Sequence, residues 1–321
     1  MGAGKQGPCA EAASEYRIAH WQPFYFIIDP MVLFSPPPQR IAIVAHPSLS
    51  GAPDEAQKIE AVLQAAGINA GIWSSVNDES LRHRMANGEF DMLVALGGDG
   101  TMLRAGHLCG PLGVPILGIN LGRFGFLTEV KREEWPRILP ELIAGRFRLE
   151  DRMMLNAKYM RGGELLGRWE VLNEVVVCRG MFVRPVTLSA RVDGYLLATY
   201  VADGLIAATP TGSTAYALAT GGPILPPELR NILIVPVAPH LSVDRAIILA
   251  EGACVTITVR TSHDAVFSID GQAPVSMQDG DDIQVGASEH TVRFVRFQDP
   301  GYFYRNLIHY MEQNPTAGSE A

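Results

Sequence analysis

The chain has 321 residues, 47% of them hydrophobic, which is enough apolar material to bury a substantial core and build two domains. The charged fraction is 19% and the formal net charge is −8, with no run rich in lysine and arginine, so nucleic acid is excluded as a partner bound through phosphate neutralisation. The four cysteines are widely spaced, and the N-terminal apolar run at 24–34 is too short to span a bilayer. We therefore expect a reduced, cytoplasmic protein with no membrane partner.

Residues 1–39 carry little pattern and are predicted to form a poorly ordered extension. From residue 40 onward, short apolar runs alternate with amphipathic segments, which is typical of a parallel α/β sheet. Asp54 is predicted to cap the first helix. Strands are predicted at residues 41–45, 68–73, 90–96 and 114–119, and helices from 54, at 79–86 and around 102–108. We assign this α/β nucleotide domain to residues 40–150.

From residue 151 onward, helical periodicity fades and strand-length apolar runs are separated by turn dipeptides. Asp193-Gly194 and Asp270-Gly271 each lie between two such runs, which is a strong signal for a β-hairpin. Strands are predicted at 170–178, 186–192, 196–201, 232–237, 246–249, 254–261, 265–269, 283–285 and 291–297. We predict a mostly antiparallel, sandwich-like β domain over residues 151–300. Residues 301–321 are expected to pack back on the first domain and to end in a polar tail.

The first motif that carries chemistry is Gly-Gly-Asp-Gly-Thr at residues 97–101, between a predicted strand and a predicted helix. Glycines let the backbone approach a bulky anion, because no Cβ stands in the way. A carboxylate in such a turn would repel phosphate, so Asp99 is expected to bind a metal or to take a proton from a nucleophile. The pattern indicates phosphoryl transfer. An ordinary tight turn in which Asp99 caps the helix is the alternative.

The second motif is Thr-Pro-Thr-Gly-Ser-Thr-Ala-Tyr at residues 209–216, which groups four hydroxyls between apolar runs. Buried hydroxyls need hydrogen-bond partners, and a nucleotide would supply them, with Tyr216 against a base or ribose. A solvated loop is the alternative for this segment alone. The patterns GxxxxGK[ST] and GxGxxG after a strand are absent, which argues against the common nucleoside-triphosphatase and dinucleotide folds.

Together these segments resemble those of the NAD kinases, which phosphorylate the adenosine ribose of NAD to give NADP. The likeness runs from about residue 41 to residue 305. Besides the two motifs above, it includes Gly-Ile-Asn-Leu-Gly-Arg-Phe-Gly-Phe-Leu at 118–127, Glu-Asp-Arg-Met-Met-Leu at 150–155, Asn-Glu at 173–174, Asp203, Gly-Gly-Pro-Ile at 221–224, Pro-His at 239–240 and Asp-Gly-Gln at 270–272. The glycine motif alone is shared with lipid kinases, whereas 209–216 together with Asn-Glu is highly specific. The chain departs from the family pattern at Arg123-Phe124 and over 241–246.

The resemblance implies that Asp99 takes the proton of the ribose 2′-hydroxyl as this oxygen attacks the terminal phosphate of ATP or polyphosphate. It implies that Asn173 and Glu174 hydrogen-bond NAD, and that Arg104 and Arg184 contact phosphate or substrate. Further binding positions implied are Gly100, Asp203, Thr211, Ser213, Thr214, Ala215, Tyr216, Ala219 and Gln272. Mg²⁺ is the expected cofactor, bound mainly through phosphates and in the neighbourhood of Asp99. A homo-oligomer, dimer or tetramer, is also expected.

Two other functions stay open at this point. A lipid or diacylglycerol-type kinase would share the glycine motif but should lack the Asn-Glu pair and the 209–216 string. A non-catalytic NAD-binding sensor could use the same scaffold, although the intact Asp99 argues against a silent enzyme.

Overall fold

The computed structural model describes residues 35–46, 48–122, 125–240, 244–305 and 307. The expectations for residues 1–34, for Arg123-Phe124 and for residues 241–243 therefore fall outside the described residues. Most of residues 301–321 also fall outside them, after a helical stretch at 302–305. Within the described ranges, no helix combines the length and the apolar character needed to cross a membrane.

Strands and helices alternate from residue 40 to residue 143, as predicted. The strands are β1 (Arg40–Ala45), β2 (Asn69–Trp73), β3 (Met92–Leu96), β4 (Ile116–Asn120) and β5 (Val130–Lys131), and the helices are α1 (Ala52–Ala65), α2 (Glu79–Ala86), α3 (Asp99–Cys109) and α4 (Trp135–Ile143). Strands β4-β3-β1-β2 pair in parallel in this order. All residues of β3 and β4 are buried, as expected of central parallel strands that are covered on both faces.

The start of α1 differs from the prediction. The helix begins at Ala52, Gly51 occupies the N-cap position with φ 75°, and Asp54 lies inside the first turn rather than at the cap. Pro53 is tolerated in a first helical turn, because its missing N–H would have no partner there. The proline therefore lets the N-cap lie at Gly51, three residues before the predicted cap Asp54.

The rest of the chain is dominated by strands. These are β6 (Arg148–Arg161), β7 (Glu164–Val171), β8 (Glu174–Arg179), β9 (Val186–Val192), β10 (Tyr195–Ala202), β11 (Gly204–Ala208), β12 (Asn231–Val237), β13 (Ile247–Ala250), β14 (Val255–Arg260), β15 (Ala265–Ile269), β16 (Val275–Met277) and β17 (Asp282–Arg296). A 3₁₀ turn at Gly212–Thr214 and the short helix α5 (Tyr216–Ala219) lie between β11 and β12. The strands predicted at 283–285 and 291–297 are one strand, β17, interrupted by a register shift between Ala287 and Thr291.

Two sheets result. One has six antiparallel strands in the order β13-β12-β11-β8-β15-β16. The other follows the order β10-β9-β14-β17-β4-β3-β1-β2, with β5 beside β4 and the β6–β7 hairpin beside β17. Strand β17 pairs with β6 along most of its length and touches β4 through Phe294 and Ile116. The parallel strands and part of the β-rich region therefore share one sheet.

The largest hydrophobic cluster lies between the two sheets of the β-rich region and includes the fully buried Tyr200 and Phe267. Two further clusters cover the opposite faces of the parallel strands, around Ile43 and around Leu93. This arrangement confirms the predicted fold class, an α/β part with a parallel sheet followed by a mostly antiparallel β part. The domain limits at residues 40, 150 and 300 stay a prediction.

Candidate active site

Asp99 is the first residue of α3 and follows β3 through the glycine turn. The turn needs glycine, because a Cβ at Gly97 would collide with the Thr101 side chain. The Asp99 carboxylate accepts hydrogen bonds from the backbone N–H groups of Phe126 (2.8 Å) and Leu127 (3.2 Å). Burial raises the pKa of Asp99, although these two amides and two nearby arginines act in the opposite direction. A raised pKa makes a carboxylate a better proton acceptor near neutral pH.

The loop that holds Asp99 depends on a second glycine. A Cβ at Gly125 would collide with the Asp99 carboxylate, so only glycine lets the chain bring its next two N–H groups to this acid. The N-cap of α3 is Gly98, and no side chain caps this helix. The alternative role of Asp99 as a helix cap is therefore not the one the structure shows.

A buried network of charged side chains lies behind this loop. Arg296 donates to the carbonyl oxygen of Leu127 (3.0 Å) and is ion-paired with Glu150 (3.1 Å). Arg152 is paired with the same Glu150 oxygen (2.6 Å) and donates to the Thr211 hydroxyl (3.3 Å). Burial alone would raise the pKa of Glu150, but the two guanidinium groups lower it to about 2. The network thus connects the loop around Asp99 with the 209–216 segment.

Asp270 organises the Asn-Glu segment. Its carboxylate accepts from the backbone N–H groups of Leu172 (2.7 Å), Asn173 (2.8 Å) and Glu174 (2.8 Å), and from Nε2 of His107 on α3 (2.6 Å). The Asp270 side chain is completely buried. One carboxylate from the turn between β15 and β16 therefore fixes the Asn-Glu segment and ties it to the helix that begins with Asp99.

The second nitrogen of His107 is also engaged. Because a carboxylate accepts, the His107 hydrogen lies on Nε2, and Nδ1 accepts from the Gln272 side-chain amide (3.1 Å). Gln272, predicted as a substrate contact, thus bonds to α3 in this structure. His107 bridges the parallel part and the β-rich part of the site.

Glu174 is buried and incompletely paired. Tyr216 donates its backbone N–H to the carboxylate, whereas Oε2 is buried without a hydrogen-bond partner among the described residues. Burial and the nearby charge of Asp270 raise the pKa of Glu174 to about 8. An orphaned buried oxygen of this kind is rare in proteins and calls for a ligand or a functional reason.

The hydroxyls of the 209–216 segment have protein partners. Thr209 Oγ1 donates to the Leu172 carbonyl (2.6 Å) and accepts from the Gly212 N–H (3.0 Å). The Ser213 hydroxyl is likewise engaged by two backbone groups, at 2.6 and 2.9 Å. A nucleotide is therefore not needed to satisfy the hydroxyls of Thr209 and Ser213, and the contact of Ser213 with substrate stays a prediction. The reason is that the turn folds back on itself and on the 172–173 backbone, so these side chains hold the loop in shape.

The remaining predicted residues are spread along the β8–β11 pair. Glu174 pairs with Ala208 and Cys178 with Gly204, so the Asn-Glu pair and the 209–216 segment lie at one end of these strands. Asp203 lies at the other end, in an ion pair with Arg179 at 3.0 Å. At about 3.3 Å per residue, the two ends are separated by roughly 13 Å.

The last group of predicted residues lies in three places: the 209–219 segment, the cavity beside α3, and the loop after β8. Thr214 bonds within its own turn, to the Thr211 carbonyl (3.0 Å), and the Tyr216 side chain is 43% exposed. Ala215 and Ala219 frame α5. Gly100 and Arg104 line one cavity with Gln272. Arg184 lies on the exposed loop after β8, and none of its described contacts reaches the other predicted residues.

Sequence reasoning missed several residues that build the site: His107, Glu150, Arg152, Asp270 and Arg296. The motifs at 150–155 and 270–272 contained three of them, but only Gln272 received a role. His107 had a weak signal, since it falls seven residues after Gly100 and thus on the same face of the predicted helix. Arg296 had none, because its partners are distant in the sequence.

Comparison with known proteins identifies relatives over most of the chain. Residues 50–147 match the family model of the ATP-NAD kinase N-terminal domain, and residues 172–297 match that of the ATP-NAD kinase C-terminal domain. An NAD kinase from Heliobacterium modesticaldum is 42% identical over 234 residues, which is 73% of this chain and 82% of the relative. An NAD kinase from Dehalococcoides mccartyi is 35% identical over 270 residues, which is 84% of this chain and 94% of the relative.

Two solved structures share the fold. The crystal structure of an NAD kinase from Archaeoglobus fulgidus in complex with ATP is 27% identical and has a TM-score of 0.69, with 86% of this chain and 99% of that chain covered. The crystal structure of yeast NADH kinase complexed with NADH is 24% identical, with a TM-score of 0.76 and coverage of 89% and 90%. The second likeness shows the fold alone.

Proposed function

Because the chain belongs to the NAD kinase family of phosphotransferases that act on NAD, we propose that Asp99 is its catalytic base. Its carboxylate accepts the proton of the adenosine ribose 2′-hydroxyl. The ribose oxygen forms a bond to the terminal phosphorus of ATP or polyphosphate, the bond from this phosphorus to the bridging oxygen breaks, and the bridging oxygen keeps the electron pair. The products are NADP and the shortened donor.

The observation that carries this proposal is the held geometry of Asp99. Each carboxylate oxygen takes one backbone N–H, so lone pairs remain for a substrate hydroxyl, and the pKa is raised by burial. General-base catalysis typically contributes ~10²–10⁴-fold. The rest of the rate then comes from alignment of the reactants and from stabilisation of charge.

Glu174 and its neighbours are proposed to bind NAD. The orphaned Oε2 of Glu174 can exchange a hydrogen bond with a ribose hydroxyl, and Asp270 fixes the backbone on which Asn173 and Glu174 stand. Asp203, at the far end of the β8–β11 pair, suits the other half of an extended dinucleotide. Tyr216 has an exposed ring that can stack on a base.

The donor set suits Mg²⁺ held mainly by phosphates. The described residues contain no cluster of three or more histidine, cysteine, aspartate and glutamate side chains that could hold a metal. Mg²⁺ commonly binds through one or two carboxylates together with substrate phosphates and water, and Asp99 is the carboxylate of the glycine segment. When bound, Mg²⁺ would neutralise the charge of the donor phosphates.

We also propose a homo-oligomer and a cytoplasmic location. Tyr195 and Leu196, on the edge strand β10, are 81% and 59% exposed. Apolar side chains on an unpaired edge are suited to contact with a second copy. Cys109, Cys178 and Cys254 are free thiols, as expected in a reducing compartment.

The test is Asp99→Asn, with Asp54→Asn on the exposed first turn of α1 as a control of equal charge change. NADP formation from NAD and ATP with Mg²⁺ should fall by at least ~10²-fold in Asp99→Asn, while calorimetry shows that NAD still binds. Asp54→Asn should behave like the parent. Parent-like turnover of Asp99→Asn would remove Asp99 from the role of base.

A further inference from the structure

Arg152 on β6 is a buried arginine that has contacts in two directions. On one side its Nε donates to the Glu150 carboxylate at 2.7 Å, and Arg296 donates to the same carboxylate at 3.1 Å. On the other side its Nη1 donates to the hydroxyl oxygen of Thr211 at 3.3 Å. The side chain of Arg152 is only 5% exposed, so both sets of contacts are made away from water.

The contacts beyond the shared glutamate lead to the loop that holds Asp99. Arg296 donates to the Leu127 carbonyl oxygen (3.0 Å), and the N–H of Leu127 donates to the Asp99 carboxylate (3.2 Å). The Cζ atoms of Arg152 and Arg296 lie 6.0 and 5.1 Å from the centroid of the Phe294 ring, so one aromatic side chain supports both guanidinium groups. Buried charged hydrogen bonds whose partners are satisfied make the surrounding structure rigid.

Thr211 is the point at which Arg152 reaches the 209–216 segment. This segment is attached separately to the Asn-Glu pair, because the N–H of Thr209 donates to the Asn173 carbonyl oxygen at 2.8 Å. That backbone contact does not involve the Thr211 hydroxyl. Removal of the hydroxyl should therefore release the segment from the arginine and leave it attached to the Asn-Glu pair.

The two ends of this set of contacts lie on different elements. Asp99 stands at the start of α3, whereas the 209–216 segment follows β11. Reacting groups must lie within about 3–3.5 Å of each other, and a displacement of about 1 Å can lower a rate about 10²-fold. A buried ion pair is weak evidence for a stabilising role, because apolar side chains of similar volume often give equal stability. The placement of its two ends is then the property that this charged network adds.

We propose that Arg152 is a positioning residue, which holds the 209–216 segment at a fixed distance from Asp99 through the Thr211 hydroxyl. It acts through Thr211 and not on a reacting atom. The assignment rests on the proposed function and adds to it the residue that aligns the ribose of bound NAD with the base. Loss of the contact should lower kcat, because the ribose is misaligned. The affinity for NAD should not change, because the segment keeps its contact with Asn173.

The experiment compares Thr211→Val, Arg152→Met and the double variant in the full chain. Valine keeps the size of threonine, removes the acceptor oxygen and leaves every charge in place. The kcat of NADP formation from NAD and ATP with Mg²⁺ should fall about ten-fold in Thr211→Val and at least as far in Arg152→Met. The double variant should stay within about two-fold of Arg152→Met, because both changes remove the same contact. The Kd for NAD, measured by calorimetry, should stay within about two-fold of the parent in Thr211→Val.

Two further variants serve as comparisons. Arg191→Met, at an exposed arginine of β9, is the control for the loss of a guanidinium group and should behave like the parent. Thr211→Ser keeps the hydroxyl and should turn over several-fold faster than Thr211→Val. This pair of variants at Thr211 decides the question if Arg152→Met does not fold.

Three results would overturn the assignment. The first is a parent-like kcat in Thr211→Val. The second is a Kd for NAD that rises as far as kcat falls, since Thr211 would then act on the substrate directly. The third is a double variant whose loss is the product of the two single losses, since the two residues would then act independently.

If the parent forms no NADP, the proposed function fails, and the alignment is tested without turnover by amide hydrogen exchange. NAD should slow exchange in the peptide that contains Leu127 in the parent but not in Thr211→Val, because only the parent connects the two segments. Equal exchange in the two proteins, or no slowing in the parent, would overturn the assignment.

Discussion

Replacement of Glu174 by glutamine is expected to stabilise the protein in a pH-dependent way. The pKa of Glu174 is raised to about 8 in the folded chain, because burial and Asp270 disfavour the charged form, against an ordinary value of 4.5. A carboxyl with a raised folded-state pKa leaves stability intact below pH 4.5, and stability is lost as the pH rises through 8. Relative to low pH, the free energy of unfolding is therefore lower by about 3 kcal/mol at pH 7, where the folded chain holds Glu174 protonated, and by about 5 kcal/mol above pH 8, where the buried carboxylate is charged. Glutamine does not ionise and avoids this cost.

The assay is the melting temperature or the urea midpoint of Glu174→Gln and the parent, measured from pH 5 to pH 9 without ligand. The difference in unfolding free energy should be small at pH 5 and grow by up to about 1.4 kcal/mol per pH unit until it levels off near pH 8. Glu164→Gln, on the exposed part of β7, is the control and should show no such trend. A difference that is independent of pH, or a variant less stable than the parent at pH 8, would refute the reasoning. NAD should bind more weakly to Glu174→Gln if Glu174 holds a ribose hydroxyl.

Two further substitutions address the bridges between the parts of the site. His107→Ala removes a 2.6 Å hydrogen bond to the buried Asp270 carboxylate. The free energy of unfolding should therefore fall by about 1.5–3 kcal/mol. Turnover should also fall, because α3 loses its hydrogen-bonded connection to the Asn-Glu segment. His83→Ala on exposed α2 is the matched control for urea midpoints, and equal midpoints for the two variants would contradict this role. Arg296→Met leaves Glu150 and the Leu127 carbonyl without that donor, so stability should fall by about 3–5 kcal/mol and kcat should fall with it. Arg293→Met, on the solvent face of the same strand, should change the stability and kcat much less. A similar loss in the two variants would show that the buried network is not responsible.

The order of elements could be predicted from the chain because hydrophobic periodicity is a local property. The alternation of strands and helices before residue 150 and the hairpin dipeptides after it specify both halves of the fold, and β9 and β15 coincide with their predicted limits. The start of α1 was wrong, since Pro53 and Gly51 outweigh the acidic residue. The pairing of β17 with both β6 and β4 could not be predicted, because hydrophobic periodicity does not reveal which distant strands are neighbours in a sheet.

The amino-acid pattern alone indicated an acid among glycines, the Asn-Glu pair, and the family, whose members act on NAD. Which polar groups hold the fold together became visible only in the folded chain. Ser213 and Thr209 bond to their own backbone, whereas Asp270, 163 residues from His107, joins the two parts of the site. Hydrogen bonds and desolvation depend on distances in space, which the order of residues along the chain does not contain. The partners of a buried polar group, and with them its pKa and its freedom to bind a ligand, exist only after the chain has folded.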